Sequence, residues 1–421
     1  MLIVTPKLKY INGQLYLEEV EVKKIIEKFS TPIYVYSKNQ IIENFKEYKE
    51  AFGDRSHLIC YAMKANSNCE ILRIIKELSG GVDVTTGGEL FRALKAGISP
   101  KKIVYAGVGK TKEELLYAIE NKILLLNIES ADETKLLNYL ANTKKTKLNI
   151  AIRINPEVNT HTLSYISTGE EGTKFGIPIS EAVDFVKYII KNCKNLKLVG
   201  LHFHIGSQIC TLQPFIEATK KVCNLVRKIN LLGIRLKYLD IGGGLGIRYK
   251  NENPPTAKQL IKNLLKYIPK DLTVICEPGR YIVGNAGILV SKVLYHKSLK
   301  NKNFLIVDAS MTDLIRPSFY GAYHNIIPVK LSDYERLPKK YYDIVGPVCE
   351  TSDFLGKKRK LPDIPNNEYL VVETAGAYGF VMSSNYNSRL RPAEVMVDKD
   401  KFYLIRKAEN YEDLIRKECK I

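Results

Sequence analysis

Lys64 directly follows an apolar run, in the segment Tyr61-Ala62-Met63-Lys64-Ala65-Asn66. An amine at such a place attacks a carbonyl once its surroundings depress its pKa, and it then forms a Schiff base. Further along stand Asp83, Arg153, His202 and His204, Glu277 and Arg280, with consecutive glycines at Gly242, Gly243 and Gly244. Backbone N–H groups in glycine turns approach a phosphate closely and hold it without added charge. Arg280 supplies cationic compensation to such an anion. An acid such as Glu277 opposite a pyridine nitrogen keeps that ring protonated and makes it an electron sink. Together these residue types suit a phosphorylated aldehyde cofactor.

The same residues bear on two other chemistries. The glycine run misses the dinucleotide fingerprint, because Ile247 stands where its third glycine belongs. His202 and His204, two apart in an apolar run, share one face of a strand and so form a candidate metal pair. None of the other histidines stands at a predicted strand end, so no metal site is expected and one of the pair is read as a packing or stacking residue.

The elements that must position these groups follow a repeating pattern. Eight short apolar runs, Leu58–Ala62, Val82–Thr85, Lys102–Tyr105, Ile123–Ile128, Leu148–Ile154, Leu198–His204, Leu236–Ile241 and Leu272–Cys276, alternate with helix-period segments. Near-continuous apolar strands alternating with helices predict a closed parallel (β/α)8 TIM-like barrel, with a doubly wound open sheet as the alternative. Chemistry in such a barrel sits at the carboxyl ends of the strands, where the residues above fall. Asn39–Ala51 is an amphipathic stretch that supplies the remaining helix. After Arg280 the pattern changes to strands without long helices, at Gly287–Leu294, Phe304–Val307, Tyr342–Val345, Tyr369–Val372 and Lys401–Ile405, closing on a helix over Tyr411–Glu418. Tyr10–Tyr16 reads as a hairpin about Asn12-Gly13 and joins this second, mostly β domain. The expected division is residues 36–282 for the barrel, and residues 1–35 with 283–421 for the β-rich domain.

Composition bounds the partners. The chain has 421 residues, 45% hydrophobic and 26% charged, as in an ordinary globular protein. Neither a secretory signal nor a membrane span is expected, and none of the eight cysteines forms a C-x-x-C pair, so a cytoplasmic protein with reduced thiols is indicated. The net charge of +19 is spread over many segments. Its denser groups, Lys144-Lys145-Thr146-Lys147 and Lys357-Lys358-Arg359-Lys360, are assigned to loops and lack interleaved aromatics, so no nucleic-acid partner is expected.

At this point the chain resembles the fold-type III pyridoxal-phosphate decarboxylases, and within them the diaminopimelate decarboxylase family. The resemblance rests on Tyr61–Asn66, Gly87-Gly88-Glu89-Leu90, Lys174-Phe175-Gly176, His202–Ser207, Asp240–Gly244, Glu277-Pro278-Gly279-Arg280, Arg316-Pro317-Ser318-Phe319-Tyr320, Gly346-Pro347-Val348-Cys349-Glu350 and Ala375–Gly379, in that order along almost the whole chain. It implies an alanine racemase-like barrel with a C-terminal β-domain, pyridoxal 5'-phosphate as cofactor, and decarboxylation of meso-2,6-diaminopimelate to L-lysine. Lys64 would carry the cofactor and His204 would stack on its ring. Glu277 would pair with the pyridine nitrogen, and Asp83 and Arg153 would belong to the same pocket. Ser207, Gly243, Gly244, Gly279, Arg280 and Tyr378 would hold the phosphate side. Arg280, Arg316, Tyr320, Glu350 and Tyr378 would bind substrate, the arginines and Tyr320 taking the carboxylate that is not lost. Lys64 or the partner's Cys349 would return the proton, because the Cys349–Glu350 segment would reach the active site of the other subunit in an obligate homodimer.

Physical chemistry supports that substrate: an amino-acid head calls for arginine plus an acid, whereas a bare ammonium calls for acids alone. The alternatives are an ornithine/arginine-type decarboxylase or a racemase on the same fold, a non-catalytic cofactor-binding homologue, and a metal-dependent barrel hydrolase. Departures from the family pattern are Thr85-Thr86, Arg248 just after the glycine turn, Thr351-Ser352 and Leu390.

Overall fold

The computed structural model describes residues 3–159, 169, 172–331 and 337–419. It divides into two compact units, one of residues 44–247 with 253–281, the other of residues 1–43, 248–252 and 282–421.

The first unit is a barrel of eight parallel strands: His57–Ala62, Gly81–Val84, Ile103–Tyr105, Leu125–Ile128, Leu148–Asn155, Leu196–His202, Tyr238–Asp240 and Thr273–Cys276. Pairing of the last strand with the first, Ile275 opposite Leu58, closes the ring and rules out the open sheet. Cys60, Val104, Leu125, Ala151, Val199, Tyr238 and Ile275 fill the interior as one apolar cluster. The larger aliphatic side chains, Val104, Leu125 and Ile275, each contribute about 1.5–3 kcal/mol when fully buried. Strand alternation then sets what comes next. Two residues beyond the inward-facing Gly81, Leu125, Ala151, Gly200, Tyr238 and Ile275 stand Asp83, Asn127, Arg153, His202, Asp240 and Glu277. The barrel core therefore changes from apolar to polar, in five of these six positions ionisable, within one layer at its carboxyl end.

The returning helices start where side chains cap them. Thr86 accepts from Glu89 N–H at the head of Gly87–Lys95, and Thr111 with Glu114 forms a reciprocal capping box before Lys112–Glu120. Each cap contributes roughly 1 kcal/mol. The family departure Thr85-Thr86 thus keeps its capping hydroxyl. No helix among the described residues is long and apolar enough to cross a membrane.

The second unit is built on a mixed sheet ordered Phe354–Pro362, Lys339–Val345, Lys302–Val307, Gly287–Leu299, Ile33–Ser37, Ala393–Asp398 and Lys401–Arg406. The short strands Ile326–Pro328 and Tyr369–Val372 attach beside Gly287–Leu299. Leu8–Ile11 and Gln14–Leu17 pair as a hairpin with Asn12 and Gly13 both at positive φ, the geometry that an Asn-Gly turn favours. One expectation is corrected here. Lys357-Lys358-Arg359-Lys360 lies in the strand Phe354–Pro362 and not in a loop. That strand is the edge of its sheet, where lysines discourage pairing with another chain, so its charge reflects position and not irregular structure.

Candidate functional site

A cavity of about 460 Å³ opens at the carboxyl end of the barrel strands, lined by residues including Lys64, Thr86, Gly107, Arg153, Phe175, His202, His204 and Glu277. Lys64 sits in the one-turn helix Met63–Ala65 that ends the first strand. Tyr61 Oη donates to Asn66 O at 2.8 Å and ties this turn down. Lys64 Nζ donates to Asp83 Oδ2 at 2.7 Å, and Asp83 is wholly buried. Burial, then the charge of Glu277, pushes the Asp83 carboxyl up to about 7 against the pull of Lys64.

Glu277, His202 and Asp240 form a second buried group, whose ligand-type atoms lie within 4.8 Å of one another. His202 Nε2 stands 3.3 Å from Glu277 Oε2. Asp240 Oδ1 accepts from Gly242 N–H at 3.0 Å. Burial and the neighbouring Glu277 push Asp240 well above the usual carboxylate range. Burial acts to raise Glu277 as well, but His202, Lys64 and a hydrogen bond from Asp240 outweigh it and hold its carboxyl below the usual range. The pair therefore keeps one proton on Asp240 and the negative charge on Glu277.

His202 and His204 have different partners. The strand ends at His202, and both side chains line the same cavity. His204 Nδ1 accepts from Gly243 N–H at 3.1 Å, and burial with Lys64 and Arg153 nearby lowers its pKa well below the usual value. A neutral ring results. The glycine turn has no room for side chains: a Cβ on Gly243 would strike Glu277 O, and one on Gly244, at φ +107°, would strike Gly206 O. Arg280 Nη2 donates to Ser207 Oγ at 3.1 Å, and Gly279 lies against Ala62. Arg248 is exposed and donates to Lys250 O.

Arg153 is fixed from two sides. Its Nη1 donates to Glu129 Oε1 at 3.0 Å, and its guanidinium carbon lies 4.6 Å from the centre of the Phe175 ring. Glu129 also accepts from Gly107 N–H and Gly176 N–H, which explains the Lys174-Phe175-Gly176 motif.

The remaining predicted residues belong to the sheet domain. Arg316 and Tyr320 bound the short helix Arg316–Tyr320, with Arg316 buried and Tyr320 half-buried. Cys349 and Glu350 are exposed on a loop whose backbone is pinned by Asp353, which accepts from Met311 N–H and Val348 N–H. Tyr378 has φ +54°, a left-handed backbone uncommon for a non-glycine residue.

The sequence reading passed over four of these residues. Asp240 lies inside a motif that assigns it no role, and the sequence offers His202 as a metal ligand or as a packing or stacking residue, not as a partner of Glu277. Glu129, directly after a barrel strand, and Asp353, at the end of the cysteine loop, were readable as acids at strand and loop ends.

The barrel residues fit a pyridoxal cofactor. Glu277 lines the cavity with a carboxylate that its neighbours hold ionised, and such a carboxylate answers a pyridinium N–H. The Lys64 amine lines the same cavity.

Comparison with known proteins agrees. Residues 38–284 match the pyridoxal-binding domain of the pyridoxal-dependent decarboxylases. Diaminopimelate decarboxylase of Aquifex aeolicus (strain VF5) is 48% identical over 412 residues, 97% of each chain. The crystal structure of diaminopimelate decarboxylase from Helicobacter pylori complexed with L-lysine is 43% identical with a TM-score of 0.90, over 94% of this chain and 98% of that one. The M. jannaschii diaminopimelate decarboxylase in co-complex with L-lysine gives 37% and 0.93, over 99% and 98%.

Proposed function

The chain belongs to the pyridoxal-dependent decarboxylases, in the branch of the diaminopimelate decarboxylases, and from that premise we propose how its residues perform the reaction. The enzyme converts meso-2,6-diaminopimelate to L-lysine and CO₂, the last step of lysine biosynthesis by that route. Pyridoxal phosphate supplies an aldehyde for the substrate amine and a protonated ring that takes up the electrons left by departing CO₂.

The observation that carries the reading is the pairing of Lys64 with Asp83 beside the ionised Glu277. Lys64 would hold the cofactor, and Asp83 would pair with its ammonium whenever the amine is free. Glu277 keeps the ring nitrogen protonated, with its charge secured by His202 and by the proton on Asp240. His204, kept neutral and fixed by Gly243 N–H, forms the wall against the ring. Ser207, Gly244, Gly279, Arg280 and Tyr378 hold the phosphate, while Gly243 serves mainly through its bond to His204 and its lack of a side chain. Arg153, locked by Glu129 and Phe175, gives that pocket a rigid cationic side.

Arg280, Arg316, Tyr320, Tyr378 and Glu350 take the amino-acid head that the product keeps. That head combines a carboxylate with an ammonium, and two arginines with one acid match it. The enzyme acts as a cytoplasmic homodimer with shared active sites. Supporting this are the exposure of Cys349 and Glu350 in the single chain and eight cysteines that form no disulfide. Lys64 or the partner's Cys349 returns the proton.

The test is to record the visible absorbance of the purified protein, add meso-diaminopimelate, and follow CO₂ and lysine. A cofactor band followed by lysine release is expected. A band without turnover would reopen the substrate, and no band after adding cofactor would overturn the reading of the barrel mouth.

A further inference from the structure

We propose that His324 is a positioning residue that aims Arg316 at the carboxylate kept by the substrate, an inference that rests on the substrate role given to Arg316 above. Both side chains lie in the sheet domain and both are buried, His324 completely. Arg316 Nη1 and His324 Nε2 are 2.7 Å apart, and His324 Nδ1 is 2.9 Å from Glu373 O.

These partners fix the tautomer. A guanidinium only donates, so Nε2 accepts; a backbone carbonyl only accepts, so Nδ1 carries the hydrogen. His324 is thus a neutral ring whose orientation is set by the backbone of Glu373 and passed on to the guanidinium. Tyr249 completes the clamp. Its ring meets His324 edge to face at 5.3 Å between centroids, and the guanidinium carbon of Arg316 lies 4.7 Å from the same ring. The hydrogen bond limits rotation of the guanidinium, and the aromatic face limits its tilt. An arginine recognises a carboxylate through a planar fork, so a few tenths of an ångström or a modest rotation decides whether two bonds or one can form. A bare buried arginine would have no such definition. The sequence held only a weak trace of this arrangement, because His324 follows the motif Arg316–Tyr320 by a few residues and lies in no predicted element.

The two bonds of His324 can be separated by substitution. His324→Gln retains an acceptor near the Nε2 position and so the bond to Arg316. His324→Asn retains a donor near Nδ1 for Glu373 O but does not reach Arg316. His324→Phe keeps the ring and loses both. The measurement is calorimetric binding of L-lysine and of L-lysinamide, in which a neutral amide replaces the carboxylate, to the cofactor-loaded protein, with Arg316→Ala and the double variant alongside. L-lysine contains the carboxylate that Arg316 is assigned to bind, so no turnover is needed.

The preference of the parent protein for L-lysine over L-lysinamide should fall about tenfold in His324→Asn and His324→Phe, the loss of one hydrogen bond to a charged group. His324→Gln should stay within about threefold of the parent, and the double variant His324→Asn with Arg316→Ala should be no worse than Arg316→Ala alone. If His324→Phe does not fold, the Gln and Asn pair decides the matter. Equal preference in Gln and Asn variants, or additive losses in the double variant, would overturn the positioning role while leaving Arg316 in the site. A preference unmoved by Arg316→Ala would instead overturn the substrate role of Arg316, and the inference with it.

Discussion

At the barrel mouth, Lys64, Arg153 and Glu277 each rest on another ionisable side chain: Asp83, Glu129 and the His202–Asp240 pair. In the sheet domain, Cys349 and Glu350 stand exposed on a loop that is held by its backbone, through Asp353 and Asn387. The first arrangement fixes protonation states within the fold, because buried neighbours set each charge. The second fixes only the path of the chain and leaves the side chains to take their environment from whatever covers them. That difference matches a proposed division of labour in which the barrel supplies chemistry and the loop supplies part of a shared site.

The sharpest way to break this comparison is to remove the amine on which the barrel set converges. Lys64→Ala should abolish the cofactor absorbance band and lower turnover by roughly a thousandfold or more, while circular dichroism shows an intact fold. Lysine production by that variant within about tenfold of the parent would sink the assignment of Lys64.

A smaller effect sharpens the account of how the barrel sets its charges. Asp240→Asn preserves both functions that the geometry asks of Asp240, an oxygen for Gly242 N–H and a donor toward Glu277. Turnover should stay within about threefold. Asp240→Leu removes the donor and should lower kcat by at least about tenfold, with a shifted pH response of the cofactor band, because Glu277 loses what secures its charge. If the Asn variant were as damaged as the Leu variant, Asp240 would be acting as an anion, and the single-proton account of the pair would fail.

How much of this was legible beforehand divides along the same line. The eight barrel strands were readable because strands buried on both faces appear as apolar runs, and their carboxyl ends then point to Lys64, Asp83, Arg153 and Glu277. Strands of the sheet domain were harder. Phe354–Pro362 was hidden by the lysines of an exposed edge. Ala393–Asp398 is interrupted by Glu394, buried and satisfied by Tyr36 Oη and Arg406, a long-range bond that no local pattern shows. In the site, Lys64, Arg153 and Glu277 are legible from their type and their place at strand ends, and they line the cavity, whereas a residue whose part depends on another side chain is not. His202, Asp240 and Glu129 each owe their role to a neighbour on a different strand, and only the register of the barrel brings them together.

The gentlest probe compares two buried aspartates, Asp83 in the barrel and Asp313 in the sheet domain, both pushed up to about 7 chiefly by burial. Asp313 Oδ2 accepts from Ser310 N–H and hydroxyl, and it has no part in the proposed chemistry. For an acid whose folded pKa lies above its unfolded value of about 3.9, the folded state holds the proton more tightly. Its contribution to stability is therefore greatest below about pH 4 and declines as the pH rises toward 7. Replacing either residue with Asn should remove part of that decline, seen as a flatter dependence of Tm on pH between about 5 and 7 in the cofactor-free protein, by a few degrees. Only Asp83→Asn should also weaken cofactor retention, by about tenfold, because only Asp83 meets Lys64. Equal cofactor affinity in the two variants would show that the Lys64–Asp83 pair serves stability alone.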